Sequence, residues 1–356
     1  YSEETTTDGK HYHPSALTTP EALVLYQQMA QAVENGLTHV VMEVSSQAYK
    51  TKRVFGLTFD LGIFLNISPD HISPIEHETF EEYFLCKQEL LLHSKKMVMN
   101  HESDHFEVLE NLCQINHIPY LTCGGSAADY PVIAMDDPRT FELKSSTDPL
   151  AINGDYALTM FGHFNHENAA AALLATAWLE TPRNHMKESL SKCVIPGRMT
   201  LFDLPNGALA FVDFAHNYLS LLSMGQLAKE IRPHGKAIVM TGSAGGKALS
   251  RRKDMGLAIT QIYDVAILTS DDPNFENPNA IADEIQQAIE NPEVTVYREM
   301  DREQAIYLAL SLAGPNDVVV LAGKGNEASM KIEGHDTPYD GDAIYAQKWI
   351  ATQKEA

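Results

Sequence analysis

The chain of 356 residues is 44% hydrophobic and 21% charged, which suffices for ordinary apolar cores in about two domains of roughly 100 to 200 residues each. It carries 26 Lys and Arg against 48 Asp and Glu, and the resulting net charge of −22 repels phosphate backbones and anionic lipid surfaces. These values exclude a disordered chain, and we expect no nucleic-acid partner and no membrane insertion. A cleft that gathers a few Lys and Arg can still bind a small anion.

The cysteines and the apolar runs indicate the compartment. Cys86, Cys113, Cys123 and Cys193 are widely spaced without a CxxC pair, as is typical of reduced thiols in a cytosolic protein. No apolar run approaches the roughly 18 residues of a membrane span, and residues 1–10 are too polar for a signal peptide. The sequence therefore predicts a cytoplasmic protein.

Helix-like and strand-like segments alternate along the first half of the chain. The predicted elements are a helix over 21–34, strands over 39–44 and 59–67, a helix over 80–93, a strand over 96–100 and an Ala-rich helix over 165–179. Before the last helix, the alternation in 132–135 and 156–161 indicates a small antiparallel excursion. Strand-like runs separated by amphipathic helices are typical of a parallel sheet covered by helices.

The pattern restarts after the Pro-Gly turn at 196–197. The new strand-like runs, each ending in polar or Gly-rich residues, are 209–213, 237–241, 265–269 and 318–322. We therefore predict an α/β protein with mostly parallel sheets in two domains, 1–196 and 197–356.

The strand ends carry the candidate chemistry, because residues just past the carboxyl ends of parallel strands line the ligand crevice of an α/β sheet. The first exit places Glu43 beside the hydroxyls of Ser45 and Ser46, and the second ends in a polar stretch that includes His71. A carboxylate and an imidazole from neighbouring strands can share a Mg²⁺ ion, which keeps several waters. Alternatively, both side chains are buried and satisfied by hydrogen bonds, and the spacing alone leaves both interpretations open.

Further polar clusters admit two interpretations each. Asn165 and Asn168 lie at the start of the Ala-rich helix, where they could contact a base or ribose, or Asn165 could simply cap the helix. Arg198 at the interdomain turn could clamp a phosphate or form a surface ion pair. Segments 213–217 and 270–274 follow strands of the second domain, and their Asp, Asn and Pro residues suit a ligand site or a polar turn.

The Gly-rich segment 242–247 resembles a phosphate loop without matching the pattern G-x-x-x-x-G-K-[ST]. Thr241 stands where the first Gly is required, and Ala248 stands where a Ser or Thr would coordinate Mg²⁺. We therefore interpret the segment as a strand-to-helix turn of the nucleotide-binding kind.

A series of short motifs follows in a defined order along the chain. They are TTP from Thr18, EVSSQA from Glu43, NISPDH from Asn66, YFLCK ending at Lys87, GHFNHEN from Gly162, PGRM from Pro196, DFAHN from Asp213, DDPN from Asp271 and AGKGNE from Ala322. In this order the motifs resemble the Mur ligase family, and the resemblance covers about residues 18–341. It implies a mostly parallel ATP-binding central domain over 1–196 that lacks its P-loop start, followed by a Rossmann-like C-terminal domain over 197–356.

The resemblance also implies an activity and its partners. The expected reaction is ATP-driven amide formation on UDP-N-acetylmuramoyl-L-alanyl-D-glutamate, a step of peptidoglycan synthesis and hence of cell wall biogenesis, cell shape and cell division. A γ-phosphate passes to the D-glutamyl side-chain carboxylate, and an incoming amine displaces phosphate from the acyl phosphate. Positioning and charge neutralisation dominate such catalysis. The expected cofactors are ATP and Mg²⁺, and the expected state is a monomer.

The family's functional residues carry over onto matching positions. Glu43 and His71 would hold Mg²⁺, and Lys87 matches a lysine that is carbamylated and then faces Mg²⁺ as an anion, the alternative being a helix-surface lysine. The residues expected to bind the UDP-muramoyl peptide are Thr18, Thr19, Ser45, Ser46 and Arg53. Those expected at ATP are Asn165, Asn168, Arg198, Asp213 and His216.

The segment after the strand at Thr269 selects the amino acid in this family. Relatives that add meso-diaminopimelate carry Asp-Asn-Pro-Arg there, and the Arg pairs with the extra carboxylate. Here Asn274 replaces that Arg and Asp272 replaces the Asn, which removes a carboxylate partner and adds negative charge suited to an ammonium. The resemblance therefore implies L-lysine, with Arg252 and Glu327 as further contacts of the incoming amino acid.

The family's Gly-Lys-Thr phosphate loop does not occur within residues 1–17. We expect the chain to be part of a longer lysine-adding ligase. The alternative is a catalytically silent relative that binds the muramoyl peptide or a partner enzyme. A nicotinamide-dependent oxidoreductase has little support, because no strand is followed by G-x-G-x-x-G.

Overall fold

A computed structural model describes residues 5–15, 17–68, 72, 76–195, 197–246 and 249–355. The chain forms two compact units. The first runs to residue 135 and adds 141–156 and 166–188, and the second comprises 136–140, 157–165 and 189–356. None of the helices in the described part has the length and apolar character that a bilayer crossing needs.

Up to residue 192 the chain alternates short strands with helices. In chain order the elements are β1 Thr5–Thr7, β2 Tyr12–Pro14, α1 Ala22–Glu34, α2 Ser46–Lys50, β3 Gly62–Phe64, α3 Phe80–Leu92, β4 Met97–Asn100, α4 Phe106–Ile115, β5 Tyr120–Gly124, β6 Tyr130–Ala134, β7 Thr140–Leu143, β8 Gly154–Ala157, α5 His163–Trp178 and α6 Arg183–Lys192.

One six-stranded sheet organises the first unit, in the order β3-β4-β5-β6-β7-β8. Strands β3 to β6 pair in parallel, and β6 pairs antiparallel with β7. Strand β4 is buried along its whole length, because helices cover both faces of a parallel sheet. Its Met97 and Met99 pack with Leu91 of α3 and Leu109 of α4.

The second unit continues with a larger set of elements. They are β9 Thr200–Asp203, β10 Leu209–Asp213, α7 Tyr218–Ile231, β11 Ala237–Thr241, α8 Ser250–Ile262, β12 Val265–Leu268, α9 Pro278–Gln287, β13 Thr295–Arg298, α10 Arg302–Leu312, β14 Val318–Ala322, β15 Ser329–Ile332, β16 His335–Pro338 and α11 Asp342–Glu355.

The sheet of the second unit has the order β13-β12-β11-β14-β10-β9. All neighbours are parallel except β9, which runs antiparallel to β10. Strands β10, β11, β12 and β14 are buried throughout, with apolar cores on both faces of the sheet. The carboxyl ends of these four strands meet at one edge, which positions the candidate site. The predicted α/β class with mostly parallel sheets is confirmed.

Most predicted elements exist, but the predicted strand over 39–44 is wrong. That segment is irregular, and its Val40 and Val41 side chains are 45% and 85% exposed. A β-branched run becomes a strand only beside a pairing partner, and no described strand pairs with this one. The predicted strand over 59–67 shortens to β3 for the same reason, apart from a bridge between Phe59 and Ser94.

Candidate active site

Thr19 organises the first polar cluster, which lies in the first unit. Its side chain is fully buried, and its Oγ1 donates to the Glu43 carbonyl at 2.9 Å and accepts the Ser45 N–H at 3.0 Å. Ser45 caps α2 by accepting the Ala48 N–H through its hydroxyl. Thr19, three residues before α1, thereby fixes the turn that carries Glu43 and starts α2.

Arg53 joins the same cluster from beyond the end of α2. Its guanidinium donates to the Thr19 carbonyl at 3.4 Å and lies 3.2 Å from Glu21 Oε1. The half-buried Thr18 adjoins Thr19 in the chain. Four of the predicted substrate residues, Thr19, Ser45, Ser46 and Arg53, are thus linked by short contacts or by sequence adjacency, and Thr18 stands beside them.

A buried histidine that the sequence did not single out completes this cluster. His77 is fully buried, and its Nε2 lies 2.8 Å from Ser46 Oγ. The His77 ring packs 5.5 Å from the Tyr83 ring, and Lys87 Nζ lies 5.6 Å from the centre of that ring. His77 therefore connects Ser46 on α2 with the Tyr83 and Lys87 side chains of α3.

An ion pair adds to the connection between these two helices. Lys50 Nζ on α2 lies 2.8 Å from Glu82 Oε1 on α3 and donates to the Glu76 carbonyl. At the start of α3, the Thr79 hydroxyl accepts the Glu82 N–H as an N-cap. The half-buried Lys87 is therefore held on a helix whose start and side are both anchored.

The predicted metal ligands are only partly within the described structure. Glu43 is exposed, whereas His71 lies outside the described residues. Among the described residues, no three His, Cys, Asp or Glu side chains lie close enough together to hold a metal ion. Mg²⁺ is commonly bound through one or two carboxylates, with waters and substrate phosphates as the other ligands. An exposed Glu43 on a turn fixed by Thr19 fits a largely hydrated ion of this kind.

The second cluster lies in the second unit, where β10 ends in Asp213. The carboxylate accepts the Met199 N–H at 2.9 Å and the Ala215 N–H at 2.8 Å. Burial raises the pKa of Asp213 above its usual value, while both N–H groups and the Arg198 guanidinium oppose that shift. Arg198 is exposed and lies 4.8 Å from the Phe214 ring centre. Asp213 thus anchors the Arg198 turn.

The other predicted ATP residues lie on α5 or shortly after β10. Asn165 donates to the Phe161 carbonyl at 2.7 Å and lies 2.9 Å from Met199 Sδ. It stands inside the first turn of α5 rather than at its N-cap, and Asn168 is exposed on the same helix. His216 Nδ1 lies 2.6 Å from the Phe214 carbonyl oxygen.

The third cluster joins the exits of β12 and β14 around one buried ammonium. Lys324 is 1% exposed, and its Nζ lies 2.8 Å from Asp272 Oδ1 and also binds Glu327 Oε2. The Asp272 and Glu327 side chains keep 32% and 36% of their surface exposed. Burial lowers the pKa of Lys324, but nearby carboxylates outweigh it and raise the pKa above the ordinary value. Burial also raises the pKa of Glu327.

A buried Arg–Asp pair holds these two strand exits together. Arg302 donates to both oxygens of Asp342 at 2.8 and 2.7 Å, and also to the Ser270 and Ala322 carbonyls. Both charged side chains are at most 1% exposed. Ser270 follows β12 and Ala322 ends β14, so Arg302 bridges the segments that carry Asp272 and Lys324. No motif in the sequence signalled this residue.

The remaining predicted amino-acid contacts differ in how accessible they are. Arg252 is 1% exposed, and it pairs with Glu276 at 2.9 Å and Glu284 at 3.0 Å. Asn274 is half-buried with a positive φ of 54°, and its N–H donates to the Lys331 carbonyl at 2.9 Å. Asn274 therefore lies next to Asp272 at the β12 exit, whereas Arg252 is engaged in ion pairs that brace the neighbouring turn.

Two family models match this chain. Residues 2–176 match the Mur ligase middle domain, and residues 197–325 match the Mur ligase, glutamate ligase domain. The chain belongs to the Mur ligase family.

Curated relatives and solved structures agree with this assignment. The chain is 47% identical to the UDP-N-acetylmuramoyl-L-alanyl-D-glutamate--L-lysine ligase of Enterococcus faecalis, over 97% of this chain and 69% of that protein. It is 43% identical to the enzyme of the same name from Streptococcus pneumoniae, over 97% and 70%. A solved UDP-N-acetylmuramoyl-L-alanyl-D-glutamate--2,6-diaminopimelate ligase superposes with a TM-score of 0.61 at 26% identity, covering 99% of this chain and 74% of that one.

Proposed function

We propose that the protein is an ATP-dependent amide ligase that joins L-lysine to UDP-N-acetylmuramoyl-L-alanyl-D-glutamate in peptidoglycan precursor synthesis. The observation that carries the proposal is the acidic cluster at the exits of β12 and β14. There Asp272 and Glu327 both bind the Lys324 ammonium, and Asn274 stands where a diaminopimelate-adding relative has Arg. A pair of carboxylates without a guanidinium suits a second amine and not a second carboxylate.

The proposed chemistry proceeds in two steps. The D-glutamyl carboxylate attacks the γ-phosphorus of ATP, so that ADP leaves and an acyl phosphate forms. The α-amine of lysine then attacks the acyl carbon, loses a proton, and expels phosphate through a tetrahedral intermediate. Bringing the three reactants into alignment supplies much of the rate enhancement in such reactions. The site residues accordingly bind, orient and neutralise charge rather than form covalent bonds.

The first cluster is proposed to bind the muramoyl peptide. Thr18 and Thr19 offer hydroxyls before α1, Ser45 and Ser46 offer hydroxyls at the start of α2, and Arg53 offers a guanidinium beyond its end. Glu43 and His71 would hold Mg²⁺, which supplies neutralisation of the phosphate charge when bound. Carbamylated Lys87 would add an anion facing the same ion, since a carbamate replaces the ammonium charge with a negative one.

The second and third clusters are proposed to bind the other two substrates. ATP would contact Asn165, Asn168, Arg198, Asp213 and His216. Lysine would contact Asp272, Asn274 and Glu327. Arg252 would bind the lysine carboxylate in exchange for its present partner Glu276 or Glu284. We propose a domain boundary at 196/197, a monomer and a cytoplasmic location. The alternative of a catalytically silent binding module is not favoured, since the relatives matching 97% of the chain are named as ligases.

The test is ATP-dependent phosphate release with the UDP-muramoyl dipeptide and a panel of amino acids, using the protein as its natural gene encodes it. We expect stimulation by lysine and little by diaminopimelate. Asn274→Arg should weaken lysine use, whereas Gln287→Arg, an exposed change in the last turn of α9, should not. Phosphate release that no amino acid stimulates would contradict the proposal. Equal lysine kinetics in the two variants would contradict the placement of Asn274 at the amino-acid site.

A further inference from the structure

One ammonium group of the protein occupies the centre of the proposed lysine site. Lys324 Nζ lies 2.8 Å from Asp272 Oδ1 and also binds Glu327 Oε2, so both carboxylates share one atom as a partner. The other oxygens, Asp272 Oδ2 and Glu327 Oε1, take no hydrogen bond from residues that the structure describes. They are therefore available for a second cation.

The Lys324 ammonium is buried, whereas the two carboxylates that bind it are partly exposed. Lys324 is 1% exposed, whereas the Asp272 and Glu327 side chains are 32% and 36% exposed. The ammonium thus lies behind the carboxylates, and the carboxylates reach solvent. A ligand that enters from solvent meets the two acidic groups before it meets Lys324.

The charge balance leaves this pair in need of a cation. Arg302 makes a bidentate contact with Asp342, so the charges of these two side chains cancel each other. The Arg302 guanidinium also lies 3.9 Å from Asp271 Oδ2, and burial raises the pKa of the Asp271 carboxyl. Lys324 then faces the Asp272 and Glu327 carboxylates. One positive charge between two carboxylates leaves the group with net negative charge, and two neighbouring carboxylates repel each other without a cation between them.

We infer that Lys324 is a positioning residue that holds the Asp272 and Glu327 carboxylates together as a receptor for the side-chain ammonium of the incoming amino acid. The inference rests on the proposed function and adds a specificity-determining residue to it. Lys324 supplies the charge that allows the two carboxylates to approach, and the remaining negative charge selects a cationic side chain over a neutral one. The backbone supports this placement, because the Lys331 N–H donates to the same Asp272 oxygen at 2.8 Å.

The same geometry explains why the preceding residue is Gly. Gly323 has a φ of +118°, in the region that favours glycine, and a Cβ there would overlap Asp271 Oδ2. The main chain therefore passes against the acidic cluster immediately before Lys324, which places the ammonium in it.

The experiment compares L-lysine with L-norleucine, a substrate of about the same shape that lacks the side-chain ammonium. Lys324→Met should raise the KM for lysine by roughly tenfold or more while leaving that for norleucine nearly unchanged, so that the ratio of kcat/KM values falls. Lys324→Arg keeps the charge and should retain most of the preference. Lys348→Met is the matched control, since its side chain is 49% exposed and its Nζ lies 2.6 Å from Asp340 Oδ2.

Three outcomes would overturn the inference. An unchanged lysine-to-norleucine ratio in Lys324→Met, with only kcat reduced, would assign Lys324 a purely structural role. A lower KM for lysine in that variant would mean that Lys324 competes with the substrate ammonium. A Lys324→Arg protein that folds but loses the preference would show that charge is not what matters. Wild-type protein that fails to use lysine would refute the proposed function itself, which the three outcomes above leave intact.

Discussion

Removing one member of the buried Arg302–Asp342 pair should destabilise the second unit more than removing one member of an ion pair at its surface. Arg302→Met leaves a fully buried Asp342 carboxylate without its bidentate partner, and it removes the donors to the Ser270 and Ala322 carbonyls. Removing one member of a buried pair typically costs about 3–5 kcal/mol. We expect the free energy of unfolding to fall by an amount in that range.

The assay is urea unfolding followed by the fluorescence of Trp349, which packs against the core of the second unit beside α10. The chain contains two Trp residues, so a Trp178→Phe background makes the signal specific to that unit. Arg139→Met is the control, because Arg139 is 50% exposed and its 3.2 Å contact with Asp137 is a surface pair worth roughly 0–1 kcal/mol.

The double variant separates charge burial from packing. Because well-packed apolar groups can replace a buried ion pair at little cost, Arg302→Met with Asp342→Leu should recover a large part of the loss. A cost below about 1 kcal/mol for Arg302→Met alone would refute the reasoning, since that is the range of a surface pair. So would a double variant as unstable as the sum of the two single ones.

Three further predictions concern other residues. Gly323→Ala should lower the free energy of unfolding by about 1–3 kcal/mol and reduce activity, because a Cβ has no room at a φ of +118°, as thermal unfolding and turnover would show. His77→Asn should cost about 1–3 kcal/mol and speed hydrogen exchange in α2, because it breaks the buried 2.8 Å contact with Ser46. At pH 8, iodoacetamide should barely label Cys113 and Cys123, because burial raises their thiol pKa to about 11 and about 12; peptide mass spectrometry measures this.

Each of these has a control within the chain. Gly36 has a φ of +86°, but a Cβ added there would have nothing within 4 Å. Gly36→Ala should therefore lower the free energy of unfolding by less than Gly323→Ala does. His39→Asn alters an exposed histidine and should leave stability nearly unchanged. The half-buried Cys193 should be labelled at pH 8, and rapid labelling of Cys113 and Cys123 in folded protein would contradict the burial argument.

The sequence predicted the elements whose signal is local. Strand β10 is an apolar run that ends in Asp213, strands β11 and β14 are mainly apolar runs followed by Gly, and the structure has all three at the predicted bounds. The strand predicted over 39–44 failed, because a strand also requires a partner that the run itself does not specify. Local pattern determines where an apolar element can exist, and non-local pairing determines whether it does.

The candidate site shows the same division. Asp272, Asn274 and Glu327 were found through ordered motifs, since they stand at strand exits. Lys324 and His77 were missed because each contacts a residue that is distant in sequence, 52 residues away for the Lys324 contact with Asp272 and 31 for the His77 contact with Ser46. A buried charge is recognisable in a sequence only once the carboxylates around it are known.

The measurement that tests the central claim most directly is the mass of the product formed from an equimolar mixture of L-lysine, L-ornithine and meso-diaminopimelate. The mixture contains the UDP-muramoyl dipeptide and ATP, and the protein is the one its natural gene encodes. We predict an ATP-dependent product that carries lysine as the predominant species. A predominant diaminopimelate product, or no amino-acid-dependent product at all, would contradict the account.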